Sequence, residues 1–181
     1  FRMLPEMVWS RPRIGTVNVH GSLLPDFRGA APIQHAVKAG VTRTGVTSFF
    51  ITADIDTGAV LLQRSIPVGP NATAGDVYRE LMAEGAGLMV DTADALAMQT
   101  LEGVPQSELL TGAEREAPKL YRQDGRVDWR MPAKNVADFI RGMTPFPGAW
   151  TTLNGATLKL DGAHIPKPTD PVPTSLAPGK C

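Results

Sequence analysis

The sequence has 181 residues, of which 43% are hydrophobic and 20% are charged, and its formal net charge is zero. These values are typical of a globular protein with one domain or two modest ones, and they exclude a largely disordered chain. No stretch approaches the ~20 apolar residues that cross a bilayer, and the first residues lack the order of a signal peptide, so we expect a cytosolic protein without a membrane partner. The single cysteine, Cys181, is the last residue, which excludes an internal disulfide and a cysteine-based metal site.

The charge is distributed unevenly along the chain. Residues 1–116 carry nine Lys and Arg against thirteen Asp and Glu, net −4, whereas residues 117–181 carry nine against five, net +4. A basic part of this kind is typical of a module that binds a polyanion, and a solvated basic face is the alternative.

Strands and helices alternate in the predicted structure of the first hundred residues. The short β-branched run Gly15–Val19 favours a buried parallel strand. Thr73 and Asp76 form a capping-box pattern that predicts the start of a long helix ending near Thr100. Between them we expect a helix and two strands that flank a turn, in chain order Ala30–Ala39, Thr44–Thr52 and Ala59–Pro67.

The remaining third of the chain predicts a second, small and β-rich module. A polar stretch without periodicity is interpreted as a linker, and a proline-rich stretch at the end as a loop or connector. Asn154-Gly155 tolerates the positive φ angles of a tight turn, which indicates a hairpin. In chain order the segments are the linker Glu102–Pro118, a strand Arg126–Trp129, a helix Pro132–Arg141, hairpin strands Ala149–Leu153 and Ala156–Leu160, and the tail Pro166 to Gly179.

Three polar residues are the first candidates for chemistry. Asn18 and His20 alternate along the first strand, so their side chains point to the same side. Asp56 lies in the turn between two β-rich runs, from which its carboxylate could reach the imidazole and favour its charged form. The alternatives are a polar pair that satisfies itself at the strand end and an Asp that stabilises its own turn.

Other catalytic patterns fit the sequence less well. Asp56-Thr57-Gly58-Ala59 matches the signature of retroviral-type aspartic proteases, but those enzymes pair two identical loops in all-β folds. Ser22 lies near His20 without the G-x-S-x-G turn of a serine nucleophile. His35 and His164 complete no metal-ligand spacing with His20, and no glycine-rich phosphate loop is present.

Two groups of motifs resemble the folate-dependent formyltransferases, most closely those that act on methionyl-tRNA. The first is Asn18-Val19-His20-Gly21-Ser22-Leu23-Leu24-Pro25, followed by Arg28-Gly29-Ala30-Ala31-Pro32-Ile33 and then Asp56-Thr57-Gly58. The second is residues 120–129 (LYRQDGRVDW) with Pro145-Phe146-Pro147-Gly148-Ala149-Trp150. The resemblance covers nearly the whole chain.

The resemblance implies an α/β fold, namely the C-terminal half of a Rossmann-like formyltransferase domain followed by the start of a small OB-like β-barrel. The implied boundaries are residues 1–101 for the catalytic domain, 102–118 for the linker and 119–181 for a tRNA-binding domain. The implied reaction moves the formyl group of 10-formyltetrahydrofolate to the amino group of methionyl initiator tRNA, without a metal. The implied setting is bacterial cytoplasm or an organelle, and we expect a monomer.

The resemblance also assigns roles to individual residues. Asn18, His20 and Asp56 take the catalytic positions, with Asn18 and His20 donating to the oxygen of the reacting carbon and Asp56 orienting His20. Ser22, Leu23, Leu24 and Pro25 take the folate-binding positions. The role of Arg28 stays open, since its side chain could bind an RNA phosphate, the folate tail or the partner of a structural ion pair.

The chain starts at Phe1 and ends abruptly, so we expect a fragment that lacks the N-terminal part and the C-terminal end of the family's enzyme. Half of a Rossmann-like sheet would expose apolar edges, and we therefore expect the isolated fragment to be poorly stable and inactive. Three other functions stay open, namely an amino-sugar nucleotide formyltransferase, an aspartic protease and a non-catalytic folate- or RNA-binding module.

Overall fold

The computed structural model describes residues 4–163 and 165. His164, the proline-rich tail and Cys181 lie outside the described residues. In chain order the elements are α1 Glu6–Trp9, β1 Val17–His20, α2 Pro32–Lys38, β2 Arg43–Phe50, β3 Val60–Pro67, α3 Ala74–Ala97, α4 Ala133–Met143, β4 Ala149–Leu153 and β5 Ala156–Leu160, with 3-10 turns at Gln106–Glu108 and Arg122–Gly125.

The first module is a three-stranded sheet covered by α3. The strand order is β1-β2-β3, and both pairs are antiparallel. Apolar side chains of β2, β3, α2 and α3 form one core, with Val37, Val46, Ile66, Val77, Leu81 and Leu88 among its buried members. Burial of such side chains contributes about 1.5–3 kcal/mol each.

The prediction that the first strand is a buried parallel strand was wrong. Its partner β2 runs antiparallel, with His20 opposite Thr47. Strand β2 therefore begins, at Arg43, beyond the C-terminal end of β1. The short helix α2 does not return the chain to the N-terminal end of β1, as a parallel pairing would require. Burial was overestimated as well, since only His20 of β1 is buried and Asn18 is exposed.

The second module packs α4 against the hairpin, and the predicted helix and hairpin are confirmed. The predicted strand Arg126–Trp129 was wrong, because only Arg126 forms a bridge, to Trp150. The Asp128 side chain accepts from the backbone N–H of Arg130, which turns the chain two residues after that bridge. In the second module the described residues form only the two-stranded sheet β4-β5, so the OB-like barrel stays a prediction.

The connecting residues 102–118 lie against the first module. Val104 forms a bridge with Val60, Glu116 forms one with Arg28, and Ala117 is fully buried. None of the described helices is long and apolar enough to cross a membrane.

Candidate functional site

A cleft of about 620 Å³ opens at the C-terminal end of β1. A volume of this size is typical of small-molecule sites. Both modules contribute to the walls, because Gly75 at the start of α3 donates its backbone N–H to the carbonyl of Thr144 at 3.1 Å and brings the following loop to the rim. The residues that line the cleft include Asn18, His20, Gly29, Pro32, Ile33, Asp56, Gly75, Tyr78, Met82, Pro145 and Phe146.

His20 is the buried group at the base of this cleft, with 6% of its surface exposed. Its Nε2 lies 2.8 Å from the carbonyl oxygen of Phe27. Because a carbonyl can only accept, Nε2 carries the hydrogen, and Nδ1 is the nitrogen that is free in the neutral ring. The ring also meets the edge of Phe49, with centroids 6.4 Å apart and planes nearly perpendicular.

Asp56 faces the free nitrogen of that ring. Its Oδ2 lies 3.6 Å from His20 Nδ1 and accepts the backbone N–H of Gly29 at 3.0 Å. The residue has a φ of 54°, in the left-handed region that non-glycine residues rarely adopt. The carboxylate is thus placed to stabilise positive charge on the imidazole.

Asn18, the exposed residue of β1, is the third catalytic candidate. Its Oδ1 accepts the backbone N–H of Val19 at 2.9 Å. Its Nδ2 makes no hydrogen bond among the residues that the structure describes, so this amide has a donor available toward the cleft. Asn18, His20 and Asp56 therefore line one cleft.

The four residues predicted to bind folate lie elsewhere. Ser22 is fully buried and donates its hydroxyl to the carbonyl of Asp26 at 2.5 Å, and Leu24 is 2% exposed beside Phe49. Pro25 is buried and Leu23 is half-buried. None of the four lines the cleft described above, and their contact with folate stays a prediction.

Thr47 explains why this segment is internal. Its hydroxyl donates to the carbonyl of Ser22 at 2.7 Å and accepts the backbone N–H of Leu24 at 3.0 Å. Gln63 donates to the same hydroxyl and to the carbonyl of Leu24. The segment Ser22–Pro25 is thereby held against β2, and it supports the loop that carries the Phe27 carbonyl.

Arg28, which the sequence left unassigned, has a structural partner. Its Nε and a terminal nitrogen donate to Oε1 of Gln106 at 2.9 and 2.6 Å. Gln106 is 3% exposed and was missed by the sequence interpretation, because it stands in the presumed linker without any local pattern. The partners of the catalytic candidates, the Phe27 carbonyl and the Gly29 amide, were missed because backbone groups carry no signature in the sequence.

The remaining titratable candidates lie outside the cleft. His35 on α2 is half-buried and pairs through Nε2 with the carbonyl of Pro118 at 3.0 Å. Burial, together with nearby Lys38, holds the pKa of His35 below its usual value. Within residues 4–163 and 165 no three His, Cys, Asp or Glu side chains form a group able to hold a metal ion.

Comparisons with known proteins agree with this arrangement. The model of the formyl transferase family matches residues 1–93, and that of the formyl transferase C-terminal domain matches residues 119–180. The methionyl-tRNA formyltransferase of Parabacteroides distasonis is 48% identical over 155 residues, which are 84% of this chain and 48% of that protein. The chain therefore spans about half the length of the curated relatives it matches.

Solved structures resemble the fold at lower identity. HypX from Aquifex aeolicus in complex with tetrahydrofolic acid aligns with a TM-score of 0.71 at 24% identity, over 87% of this chain and 27% of that chain. The N-formyltransferase from Helicobacter canadensis in complex with folinic acid and dTDP-3-aminofucose aligns with a TM-score of 0.65 at 22% identity, over 77% of this chain and 51% of that chain. These likenesses show the Rossmann-like formyltransferase fold with mixed α/β content.

Proposed function

This chain belongs to the formyl transferase family, and we propose on that basis that the protein moves a formyl group from 10-formyltetrahydrofolate to the amino group of methionyl initiator tRNA. The observation that supports the proposal best is the convergence of Asn18, His20 and Asp56 on one cleft. The two residues of this trio that lie closest to each other, His20 at the end of β1 and Asp56 in the turn between β2 and β3, are 36 positions apart in the sequence.

The chemistry of formyl transfer matches these side chains. Attack of an amine on a formyl carbon forms a C–N bond, places negative charge on the carbonyl oxygen and releases a proton from the attacking nitrogen. Collapse of this intermediate breaks the bond between the formyl carbon and N10 of the folate, and N10 leaves with that proton. Nδ2 of Asn18 donates to that oxygen, and one such donor typically contributes ~3 kcal/mol to stabilising the transition state.

His20 and Asp56 handle the proton in this proposal. His20 Nδ1 accepts it, since Nε2 already donates to Phe27. The resulting positive ring is stabilised by the carboxylate of Asp56 at 3.6 Å. The protonated Nδ1 then passes the proton to the departing folate nitrogen, and donation from His20 to the reacting oxygen stays a prediction.

The folate cosubstrate fits the cleft by size and chemistry. About 620 Å³ of space with largely apolar walls and a few polar side chains, among them Asn18, His20 and Asp56, is suited to a heterocycle that presents one reactive carbon. The segment Ser22–Pro25 does not line this cleft. Its predicted contact with folate therefore stays a prediction.

The choice of methionyl-tRNA as acceptor is supported by the 48% identical relative from Parabacteroides distasonis. The net positive charge after residue 116 is consistent with neutralisation of RNA phosphates. Residues 119–181 are accordingly proposed as the start of a tRNA-binding domain joined to the catalytic domain by residues 102–118. A monomer in the cytoplasm, or in an organelle of bacterial descent, completes the proposal.

The test uses the protein expressed from the complete reading frame that contains this chain. Purified protein is supplied with 10-formyltetrahydrofolate and either methionyl initiator tRNA or an amino-sugar nucleotide. We expect formylation of the tRNA and no turnover of the sugar. Turnover of the amino-sugar nucleotide with no reaction of tRNA would assign the protein to the sugar branch, and failure with both acceptors would refute the proposal.

A further inference from the structure

One buried side chain, Gln106, joins the connecting segment to both loops of the site. Its Nε2 donates to the backbone carbonyls of Asp56 at 2.8 Å and Gly58 at 2.9 Å. Its Oε1 accepts both bonds from Arg28. All four hydrogen-bonding positions of the amide are therefore satisfied by the protein.

The orientation of this amide is set by Arg28. A guanidinium only donates, so the oxygen of Gln106 must face it, and the NH2 group must face the two carbonyls. Arg28 is itself held by its backbone, because its carbonyl accepts the N–H of Ala117 at 2.7 Å. The amide thus has one orientation, and that orientation places both of its donors on the loop that carries Asp56.

This loop needs support from outside. Asp56 keeps a positive φ, a conformation that costs of order 1–3 kcal/mol and persists only where the surroundings hold it. The bonds that Thr52 and Thr57 make within the loop are exposed to water, and the Asp56 carboxylate accepts the part-buried N–H of Gly29. Gln106 is a buried side chain that binds the backbone of the loop, at the carbonyls of Asp56 and Gly58.

We propose that Gln106 is a positioning residue that holds Asp56 at its distance from His20. The carboxylate reaches His20 and Gly29 only while the backbone of residue 56 keeps its conformation, and Gln106 binds that backbone directly. The inference rests on the proposed function for its activity measurement. It also predicts a structural effect that is independent of catalysis.

The first experiment compares Gln106→Glu with Ser107→Ala in the protein from the complete reading frame. The Glu variant keeps an acceptor for Arg28 but removes the donors to Asp56 and Gly58. We expect kcat for formyl transfer to fall by ~100-fold, as for a displaced catalytic group, with KM for folate changed by less than about twofold. Ser107 is exposed on the same 3-10 turn, and Ser107→Ala is expected to leave kcat unchanged. An unchanged kcat for Gln106→Glu, or an effect on KM alone, contradicts the inference.

A double-mutant cycle with Asp56→Asn asks whether Gln106 acts through Asp56. If it does, Gln106→Glu should lower kcat little further in the Asp56→Asn background. A full additional ~100-fold loss would mean that Gln106 acts elsewhere and would overturn the inference. If Gln106→Glu fails to fold, Arg28→Lys replaces it, because lysine cannot donate two bonds from a planar guanidinium to Oε1 of Gln106. We expect Arg28→Lys to lower kcat by ~10-fold, and to lower it little further in the Asp56→Asn background.

The second measurement needs no activity. The N–H of Gly29 donates to Asp56 Oδ2, so we expect its hydrogen exchange to become about tenfold faster in Gln106→Glu, with α3 amides unchanged. Unchanged exchange at Gly29 in a folded variant overturns the inference. If the unaltered protein does not formylate tRNA, the proposed function fails, and exchange at Gly29 still decides the role of Gln106.

Discussion

At the residue scale, the chemistry of the site depends on backbone groups as much as on side chains. The Phe27 carbonyl determines which nitrogen of His20 carries the hydrogen, and the Gly29 amide determines where Asp56 points. The backbone of Phe27 is held in turn, because its N–H donates to the backbone carbonyl of Arg115 at 2.7 Å. A histidine at a strand end thereby acquires one defined proton acceptor facing the cleft.

Replacement of Asn18 tests the donor that this arrangement leaves available. We expect Asn18→Ala to lower kcat by ~100-fold, because one donor to the developing negative charge is lost. Folding should be unaffected, since Asn18 is exposed and its only side-chain bond among the described residues is to the adjacent Val19. Steady-state kinetics with methionyl-tRNA would measure the loss, with Asn135→Ala on the exposed face of α4 as control. A loss below about threefold would remove Asn18 from the chemistry.

At the element scale, α3 begins at the capping residue that the sequence predicted, as the hairpin strands also have their predicted bounds. The hydroxyl of Thr73 accepts the N–H of Asp76 at 3.1 Å, and the Asp76 carboxylate accepts the N–H of Thr73 at 2.9 Å. The Thr73 hydroxyl also donates to the Asp76 carboxylate at 2.6 Å, and this bond, followed by that from the Thr73 N–H, holds the pKa of Asp76 below its usual value. The element matters for the site because the first turns of α3 supply Gly75, Tyr78 and Met82 to the cleft.

We expect Thr73→Ala to lower the free energy of unfolding by about 1 kcal/mol, because the first turn of α3 loses its side-chain cap. Chemical denaturation at neutral pH would measure the change. Thr42→Ala serves as the control, since Thr42 is exposed and its side chain forms no hydrogen bond within residues 4–163. Equal stability of the two variants would mean that packing against the sheet, and not the cap, determines where this helix begins.

At the scale of the whole molecule, α4 of the second module packs against α2 of the first, and a buried ion pair within α4 holds the arginine that binds across the junction. Arg141 on α4 donates to Asp138 at 2.8 Å and to the carbonyl of Ala72, just before α3, at 2.9 Å. Lys134 also donates to Asp138, at 2.6 Å. Helix α4 is thereby anchored to the first module, and the loop that follows it reaches the cleft.

Asp138→Asn is expected to lower the free energy of unfolding at neutral pH by about 3 kcal/mol, because Arg141 stays buried without its charged partner. Burial alone would raise the pKa of Asp138, but the bonds from Lys134 and Arg141 outweigh it and hold this pKa below its usual value. The unfolded chain therefore binds more protons, so the contribution of Asp138 is present above pH ~4 and is lost as the pH falls through the lower, folded pKa.

Denaturation of both proteins at neutral pH and near pH 3 would check this dependence. The difference between the unaltered protein and Asp138→Asn should shrink as Asp138 becomes protonated. Asp94→Asn is the control, since Asp94 is exposed and forms no ion pair among the described residues. A difference that stays constant down to pH 3 would mean that the charge of Asp138 is unimportant to the junction.

The local features of this fold follow from the amino-acid sequence alone. The helix caps, the Asn154-Gly155 hairpin and the common side of Asn18 and His20 follow from backbone preferences and from the two-residue repeat of a strand. Each of these depends on residues within a few positions of one another. For that reason most elements could be predicted without a structure, whereas the catalytic roles of Asn18, His20 and Asp56 were implied by the resemblance of their motifs to a family.

The features that depend on distant residues could be known only from the folded chain. Strand direction follows from where the chain re-enters the sheet at Arg43, and the burial of Ser22–Pro25 follows from their contact with Thr47. Gln106 lies 50 positions from Asp56 and 78 from Arg28, in a stretch without periodicity. Its role arises from packing, because the fold places a guanidinium against the oxygen of this amide and two backbone carbonyls against its nitrogen.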